Sequence, residues 1–370
     1  MTTLMRRASV VLGLAVLAAG CASAPLKPSD DFVWPRPPDP PRVKYVRTIR
    51  SPSDLKASGW QQFRRAIVGV DRSMGLVNPT ALALSPDDTK LYVSCSSTGK
   101  VVEIDFARGS MRLAADAEGH RPKHPFGLGT DAEGNLFIAD QLDHVVLVYS
   151  ADGKFLREIG RGKLDRPTGL AIDRRGQILY VSEGGRVDNG RHQVEAFALD
   201  GRHLRTIGSR GSAPGEFNFP GYLAVSRDGT LFVGDMLNFR IQMFDRDGRL
   251  VGFFGTQGTS VGGFNKLKGI AFDSAGLLHV ADSANSIVQI FNPRQQLLLW
   301  YGAPGARDEL LQTPNGLAID SKNNIYVTDL VSDRLNHYVL VDVSGAEGGE
   351  SAPAAPAQKA QGPSATRPTQ

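Results

Sequence analysis

A short unit recurs six times between residues 78 and 329, and this recurrence constrains the fold more than any other feature of the sequence. The second residues of the six units are Pro79, Pro125, Pro167, Pro220, Leu267 and Pro314. Their separations are 46, 42, 53, 47 and 47 residues. A chain of 370 residues is long for one compact domain, but a repeat architecture escapes that limit because it grows by adding units. The sequence therefore predicts a single architecture of six like modules.

Each module contains four short strands. Gly169–Asp173 is a nearly all-apolar run, which is typical of a strand buried on both faces. In the next unit the Asp228–Gly229 turn leads to a second strand at Leu231–Asp235, and Arg240–Phe244 alternates polar and apolar residues as a third strand does. A further Asp-Gly turn precedes the fourth strand, Leu250–Phe254. Six such units at this period predict an all-β, six-bladed β-propeller with four-stranded blades.

The last repeat lacks a fourth strand of its own, because none follows Asn336–Val341. The missing strand is present near the N-terminus, where Lys44–Ile49 (KYVRTI) matches Arg202–Ile207 (RHLRTI), a fourth strand. We therefore expect the N-terminal strand to complete the last blade and close the ring, which avoids exposed edges that invite aggregation. This bounds the propeller at residues 43–344.

The first 20 residues have the pattern of an export signal. Two arginines precede an apolar run at Val10–Ala19, and about 10 apolar residues are too few to cross a bilayer. Leu17–Cys21 (LAAGC) resembles a bacterial lipoprotein signal, which implies that residues 1–20 are removed and that Cys21 is lipidated. In that family Ala22, rather than Asp, after the cysteine implies anchoring in the outer membrane on its periplasmic side. The inner membrane, the cell surface and an ordinary cleaved signal are the alternatives.

Polar, low-complexity segments flank the propeller. Residues 21–42 are rich in proline and predict an extended tether, and residues 345–370, rich in Ala, Pro and Gln, are expected to be disordered. Between Ser58 and Gly69, apolar residues at i, i+3 and i+7 predict a short helix before the first repeat. That helix packs on the propeller or presents its apolar face to a membrane or a partner.

Composition excludes several classes of function. There are 42 Lys and Arg against 38 Asp and Glu, and removal of residues 1–20 takes away two arginines and leaves 40 against 38. A net charge of +2 over this length gives no electrostatic basis for nucleic-acid binding. The two cysteines exclude a disulfide-rich scaffold and a zinc site of several thiolates.

The repeat unit resembles the NHL repeat. The resemblance rests on the P-x-G-[LIV] opening, on the Asp that closes the second strand, and on the Asn, Arg and Ile of Asp235–Ile241. The loop Gly208–Pro220 is also similar to the connection between NHL blades. The layout resembles that of bacterial NHL-repeat lipoproteins and, more distantly, the regucalcin and gluconolactonase propellers, which implies the same six-bladed fold. Cys95 and Glu183 depart from the Asp column, and Gly184–Gly190 is an insertion.

The residue that follows the proline position lies at one mouth of the channel, where the regucalcin and gluconolactonase propellers hold a divalent cation. These positions, the channel-mouth ring, are Thr80, Phe126, Thr168, Gly221, Lys268 and Asn315. The resemblance implies a ligand role for Asn315, but the other five positions carry no carboxylate and Lys268 repels a cation. We therefore expect no metal and no cofactor here, and at most a small polar or anionic ligand.

A second set of residues, the acidic ring, closes the second strands. Its members are Asp140, Glu183, Asp235, Asp282 and Asp329, with Cys95 in the first repeat. One carboxylate in each blade favours a structural role, in which each accepts backbone hydrogen bonds and orders a loop. The alternative is an acidic mouth for a cation or a basic peptide.

These features favour a non-catalytic scaffold, a lipid-anchored propeller that presents a rigid surface to a protein, peptide or glycan partner. The first alternative, implied by the resemblance, is a metal-dependent lactonase, hydrolase or lyase with Asn315 and His124 near the metal. The seven histidines do not converge, however, and no nucleophile elbow or P-loop is present. The second alternative is a carrier of a small ligand in the central channel.

Overall fold

The computed structural model describes residues 32–55, 74–185 and 190–341. Within these ranges the chain forms six small antiparallel sheets that follow one another in sequence. The innermost strand of each sheet contacts that of the next, and the last contacts the first. The helical residues in these ranges are single 3-10 turns. The predicted all-β, six-bladed propeller is confirmed.

The first three blades use consecutive hairpins. Two strands precede them, β1 (Val33–Trp34) and β2 (Val43–Ile49). Blade 1 consists of β3 (Pro79–Leu84), β4 (Lys90–Cys95), β5 (Lys100–Asp105) and β6 (Ser110–Leu113). Blade 2 consists of β7 (Pro125–Thr130), β8 (Leu136–Asp140), β9 (Val145–Tyr149) and β10 (Phe155–Ile159). Blade 3 consists of β11 (Pro167–Asp173), β12 (Ile178–Gly184), β13 (His192–Ala198) and β14 (His203–Ile207).

The remaining blades follow a loop that contains a short parallel pair, β15 (Ser209–Arg210) and β16 (Glu216–Phe217). Blade 4 consists of β17 (Pro220–Val225), β18 (Leu231–Asp235), β19 (Arg240–Phe244) and β20 (Leu250–Phe254). Blade 5 consists of β21 (Leu267–Phe272), β22 (Leu278–Asp282), β23 (Ile287–Phe291) and β24 (Leu297–Tyr301). Blade 6 contains β25 (Pro314–Ile319), β26 (Asn324–Asp329) and β27 (Arg334–Leu340), and it continues into β2 and β1.

The N-terminal strand closes the ring, as predicted. β2 pairs antiparallel with β27, with Val43 opposite Leu340. Blade 6 differs from the four-stranded prediction, because β1 pairs with the outer edge of β2 and adds a fifth strand. The ring of Trp34 in β1 is buried 5.8 Å from the ring of Tyr338, so aromatic packing holds the additional strand in place.

The glycine of the repeat opening allows neighbouring blades to approach each other at the channel. A Cβ on Gly169 would lie 2.0 Å from the carbonyl oxygen of Gly221 in the next blade, and a Cβ on Gly316 would lie 2.5 Å from that of Thr80. These distances exclude a side chain, so glycine recurs where the innermost strands converge. The second and third strands are buried between blades, as the fully buried β8 and β9 illustrate.

Several predicted segments lie outside the described residues. They are the signal peptide, Cys21 with the first part of the tether, the helix between Ser58 and Gly69, residues 186–189 of the insertion, and the C-terminal tail. Their predicted boundaries, 1–20, 21–42 and 345–370, remain predictions. In the part of the chain that the structure describes, no helix is long and apolar enough to span a membrane.

Candidate functional site

A tyrosine crosses the channel at the mouth where the innermost strands begin, which we call the entry mouth. Blade 4 carries Tyr222 where the other units carry Gly or Ala. The Tyr222 hydroxyl donates to Asn315 Oδ1 of blade 6 at 2.7 Å and lies 3.5 Å from the carbonyl oxygen of Thr80 in blade 1. Blades 1 and 4 are opposite in a ring of six, so the phenol spans the axis. Burial raises the pKa of Tyr222, so the phenol remains a hydrogen-bond donor at physiological pH.

The two threonines of the channel-mouth ring bind protein atoms. The buried Thr80 hydroxyl lies 2.8 Å from Ser96 Oγ and 3.1 Å from the Asn78 carbonyl oxygen. The buried Thr168 hydroxyl donates to the Arg166 carbonyl oxygen at 3.1 Å. These hydroxyls therefore stabilise the first residues of the innermost strands, and their hydrogen bonds are made to protein atoms and not to a ligand.

Lys268 differs from the other polar members of the ring, because its side chain has no oxygen partner among the described residues. It is half-buried, and the contact of its Nζ among the described residues is the Met236 sulfur at 4.0 Å. Burial, together with nearby Lys266, lowers the pKa of Lys268 to about 8. Phe126, the neighbouring aromatic member, is half-buried, and its ring lies 6.3 Å from the ring of Tyr222. The entry mouth therefore combines one ammonium group with aromatic surface.

These residues do not fit a divalent cation. A hard cation requires about six oxygen ligands, several of them charged. The amide oxygen of Asn315 is engaged by Tyr222, the threonine hydroxyls are engaged by protein, and Lys268 adds a positive charge. No group of three or more His, Cys, Asp and Glu side chains that could hold a metal occurs within the described ranges. Within the described ranges, His124 and Asn315 therefore do not form part of a metal centre.

The carboxylates of the acidic ring point into the protein. All five are fully buried, and each accepts a hydrogen bond from the backbone just before the innermost strand of its blade. Asp329, for example, accepts from the N–H groups of Gln312 and Thr313, both at 2.9 Å. Its other partner is the buried Arg334, whose Nη2 donates to the carboxylate at 2.9 Å. These groups fix the loops that surround the entry mouth.

Glu183 differs from the aspartates of the acidic ring. Its Oε2 accepts from the backbone N–H groups of Asp165 and Arg166 at 2.8 and 3.0 Å. Its Oε1 is buried and has no hydrogen-bond partner in the part of the chain that the structure describes. Burial raises the pKa of Glu183 to about 7. Cys95, in the same column of blade 1, is a buried free thiol whose pKa burial also raises.

The open part of the channel lies at the opposite, exit mouth. A cavity of about 510 Å³ is lined by the ends of the innermost strands and by the turns that follow them. Arg174, Arg175 and Arg227 lie on its rim, and Arg174 donates to Thr130 Oγ1 at 2.7 Å. No member of the channel-mouth ring lines this cavity. Tyr222 was not predicted from the sequence, although a tyrosine in a column of Gly and Ala was a signal that could have identified it.

The fold and the sequence matches agree on the class of protein. A family model described as "SMP-30/Gluconolactonase/LRE-like region" matches residues 67–185. The chain is also 28% identical over 111 residues to NHL-repeat-containing protein 4 of Mus musculus, which covers 30% of this chain and 79% of that protein. The chain is a six-bladed β-propeller, and parts of it are similar in sequence to the SMP-30/gluconolactonase and NHL-repeat proteins.

Among solved structures, this propeller is similar to two enzymes. A gluconolactonase of Xanthomonas campestris aligns with a TM-score of 0.56 and 19% identity over 80% of this chain and 98% of that one. A streptogramin B lyase aligns with a TM-score of 0.53 and 14% identity over 72% of this chain and 94% of that one. At these identities the likeness shows the fold alone.

Proposed function

We propose that the protein is a lipid-anchored propeller that binds a protein, peptide or glycan partner on the periplasmic side of the bacterial outer membrane and does not catalyse a reaction. The observation that carries this proposal is the hydrogen bond from Tyr222 to Asn315 across the entry mouth. It uses the amide that a metal-dependent lactonase or lyase would need as a ligand, and Lys268 opposes a cation at the same mouth.

Exposed apolar side chains on the same side of the ring support binding. Leu142, Leu237 and Val331 are 60%, 50% and 65% exposed. Each lies two residues after an acidic-ring aspartate, in blades 2, 4 and 6. Because the acidic ring fixes this side of the loops, the three side chains, here called the apolar triad, are held in a rigid arrangement. Preorganised apolar groups reduce the entropy lost when a partner binds.

The binding proposal is tested by substitution of all three residues of the apolar triad with serine. We expect Leu142→Ser, Leu237→Ser and Val331→Ser together to abolish site-specific photo-crosslinking of the membrane-bound protein to its partner. The matched control is Leu156→Ser, an exposed leucine on the outer strand β10. A crosslinked partner that persists in the triple variant would contradict the assignment of this surface.

The non-catalytic part of the proposal is tested by metal analysis. We expect the purified, dialysed protein to contain far less than one equivalent of calcium or zinc, and Asn315→Ala to leave that content unchanged. A stoichiometric metal that is lost in Asn315→Ala would establish the lactonase or lyase alternative instead.

The lipid anchor is tested by fractionation. Cys21→Ser removes the acceptor sulfur, so we expect the variant to leave the membrane fraction. Unchanged fractionation of a protein whose signal has been cleaved would refute the anchor.

One observation favours a second candidate, a carrier of a small ligand. The cavity of about 510 Å³ at the exit mouth has the volume of a small-molecule site. A thermal-shift screen with anionic metabolites distinguishes the two mouths. A ligand in the cavity loses its effect in Arg174→Ala, whereas a ligand at the entry mouth loses it in Lys268→Ala.

A further inference from the structure

The outer strands of blades 4 and 5 differ from the others in chemistry. The fourth strand of each of the other four blades carries an arginine in its central part: Arg47, Arg112, Arg157 and Arg205. The register places Gly252 and Leu299 at the equivalent positions of β20 and β24. The next residues are Phe253 and Trp300, where β10 has Glu158 and β14 has Thr206. Two neighbouring blades therefore lack the central arginine of the other fourth strands and carry an aromatic residue at the next position.

These apolar side chains are exposed. The apolar belt consists of Leu250, Val251, Phe253, Val261, Leu298 and Trp300. Val251 is 63% exposed and Leu298 is 53% exposed. Val261 lies in the loop between the two blades, and a Cβ on the next residue, Gly262, would lie 3.9 Å from Leu297 Cδ2, so this loop runs close to the strand that carries Leu298 and Trp300. Exposed apolar residues that adjoin in this way mark an interaction surface, whereas single ones need no explanation.

The segment that leads to Cys21 leaves the propeller beside this belt. Phe32, the first described residue, packs against the same apolar cluster as Leu299 of β24. A groove of about 930 Å³ is lined by Pro35 and Pro40 on one side and by Leu298 and Leu299 on the other. Eleven residues from Cys21 to Phe32 span at most roughly 40 Å when fully extended. A lipid on Cys21 therefore keeps Phe32, and the edge of the propeller beside it, within that distance of the bilayer.

We infer that the apolar belt is a membrane-contact surface, which inserts its side chains at the boundary between the lipid headgroups and the acyl chains. The inference rests on the proposed lipid anchor, which supplies the proximity. Tryptophan and phenylalanine favour this boundary, and leucine and valine bury apolar area in it. The occupant is the lipid surface, because the chain itself ties this edge of the ring to the bilayer.

The test uses the lipidated full chain in vesicles of phosphatidylethanolamine and phosphatidylglycerol. A Leu298→Cys variant carries an environment-sensitive fluorophore on the new thiol, since acylation occupies the Cys21 sulfur and Cys95 is buried. The matched control is Leu156→Cys on β10, where a leucine of similar exposure lies on a charged outer strand. We expect the emission of the Leu298→Cys label to shift to the blue and to be quenched by brominated acyl chains, whereas the control label remains in water.

Three outcomes would overturn the inference. The first is a Leu298→Cys label that remains in water while the protein stays bound to the vesicles, which leaves the anchor intact. The second is a label that is shielded only when envelope proteins are added, which assigns the belt to a protein partner. The third is a label that is shielded without vesicles in proportion to protein concentration, which assigns the belt to a second copy of the chain. Loss of the anchor itself appears separately, as an N-terminal residue without the mass of the acyl chains.

A second variant checks the belt without a label. In the unacylated Cys21→Ser background, the full chain is expected to bind the same vesicles weakly, and Leu298→Ser with Trp300→Ser is expected to reduce the partition coefficient by about tenfold or more. The substituted residues are exposed, so the fold tolerates them, and equal melting temperatures confirm this. Equal partition coefficients for the two proteins would overturn the inference.

Discussion

Glu183→Gln is expected to stabilise the propeller at alkaline pH and not at acid pH. The Glu183 carboxylate is fully buried and has no cationic partner among the described residues, and burial raises its pKa from 4.5 to about 7. At about 1.36 kcal/mol per pH unit, the ionised side chain costs the fold on the order of 3 kcal/mol above pH 7. The glutamine amide meets no acceptor from residues 32–55, 74–185 or 190–341 at the place of Oε1, and this unsatisfied donor offsets about 1 kcal/mol of the gain. A net gain of about 2 kcal/mol remains.

The sign of the effect follows from where the proton is bound. Below pH 4.5 the carboxyl is protonated in the folded and the unfolded chain, so it carries no linkage cost. Between pH 4.5 and about 7 the folded protein retains a proton that the unfolded chain has lost, so the stability of the wild type falls as pH rises. The variant has no such group, and its advantage therefore develops across this interval.

Chemical denaturation at pH 4 and pH 8 measures both proteins directly. We expect the variant to be equal or slightly less stable at pH 4, and more stable by about 2 kcal/mol at pH 8. The matched control is Asp329→Asn, the same change in the same column, where a buried Arg334 pairs with the acid. Loss of the Asp329 charge leaves Arg334 buried without its carboxylate partner and is expected to lower the free energy of unfolding by about 3–5 kcal/mol at pH 8. A Glu183→Gln variant that is less stable than the wild type at pH 8 would refute the reasoning.

Three further predictions concern the ring and its entry mouth. Deletion of residues 43–50 removes β2 and should abolish cooperative thermal unfolding in calorimetry, whereas deletion of residues 346–370 should not change it. Tyr222→Phe leaves the buried Asn315 oxygen without its donor and should lower the free energy of unfolding by about 1–3 kcal/mol. An unchanged free energy of unfolding would mean that the hydrogen bond across the channel is not formed. Lys268→Met removes an ammonium group whose pKa burial lowers from 10.5 to about 8, so the variant should have a higher melting temperature than the wild type at pH 7. This difference in melting temperature should shrink between pH 8 and 10.5, and a difference that does not depend on pH would contradict the assigned cause.

The sequence predicted the number of blades and the closing strand because both are written in local patterns. The repeat period defines the blades, and the match of Lys44–Ile49 to a fourth strand defines the partner of β27. The contact of Tyr222 with Asn315 and Thr80 was not predictable in this way, because it joins residues 93 and 142 positions apart through the three-dimensional ring. The pairing of β1 was missed for a related reason. A two-residue strand has no periodicity, and its position depends on the packing of Trp34 against Tyr338.

In the proposed lipid-anchored form, the segment that leads from Cys21 to the propeller continues into β1 and then into β2, the strand that closes the ring. Any pull on the anchor, as the envelope deforms or a partner moves away, is therefore transmitted to the seam between the two ends of the propeller. β1 and Trp34 bear that load first, before the pairing of β2 with β27 does. In that form, β1 would separate from β2 under tension before the pairing of β2 with β27 loses hydrogen bonds, so the closure of the ring would be the last pairing to open.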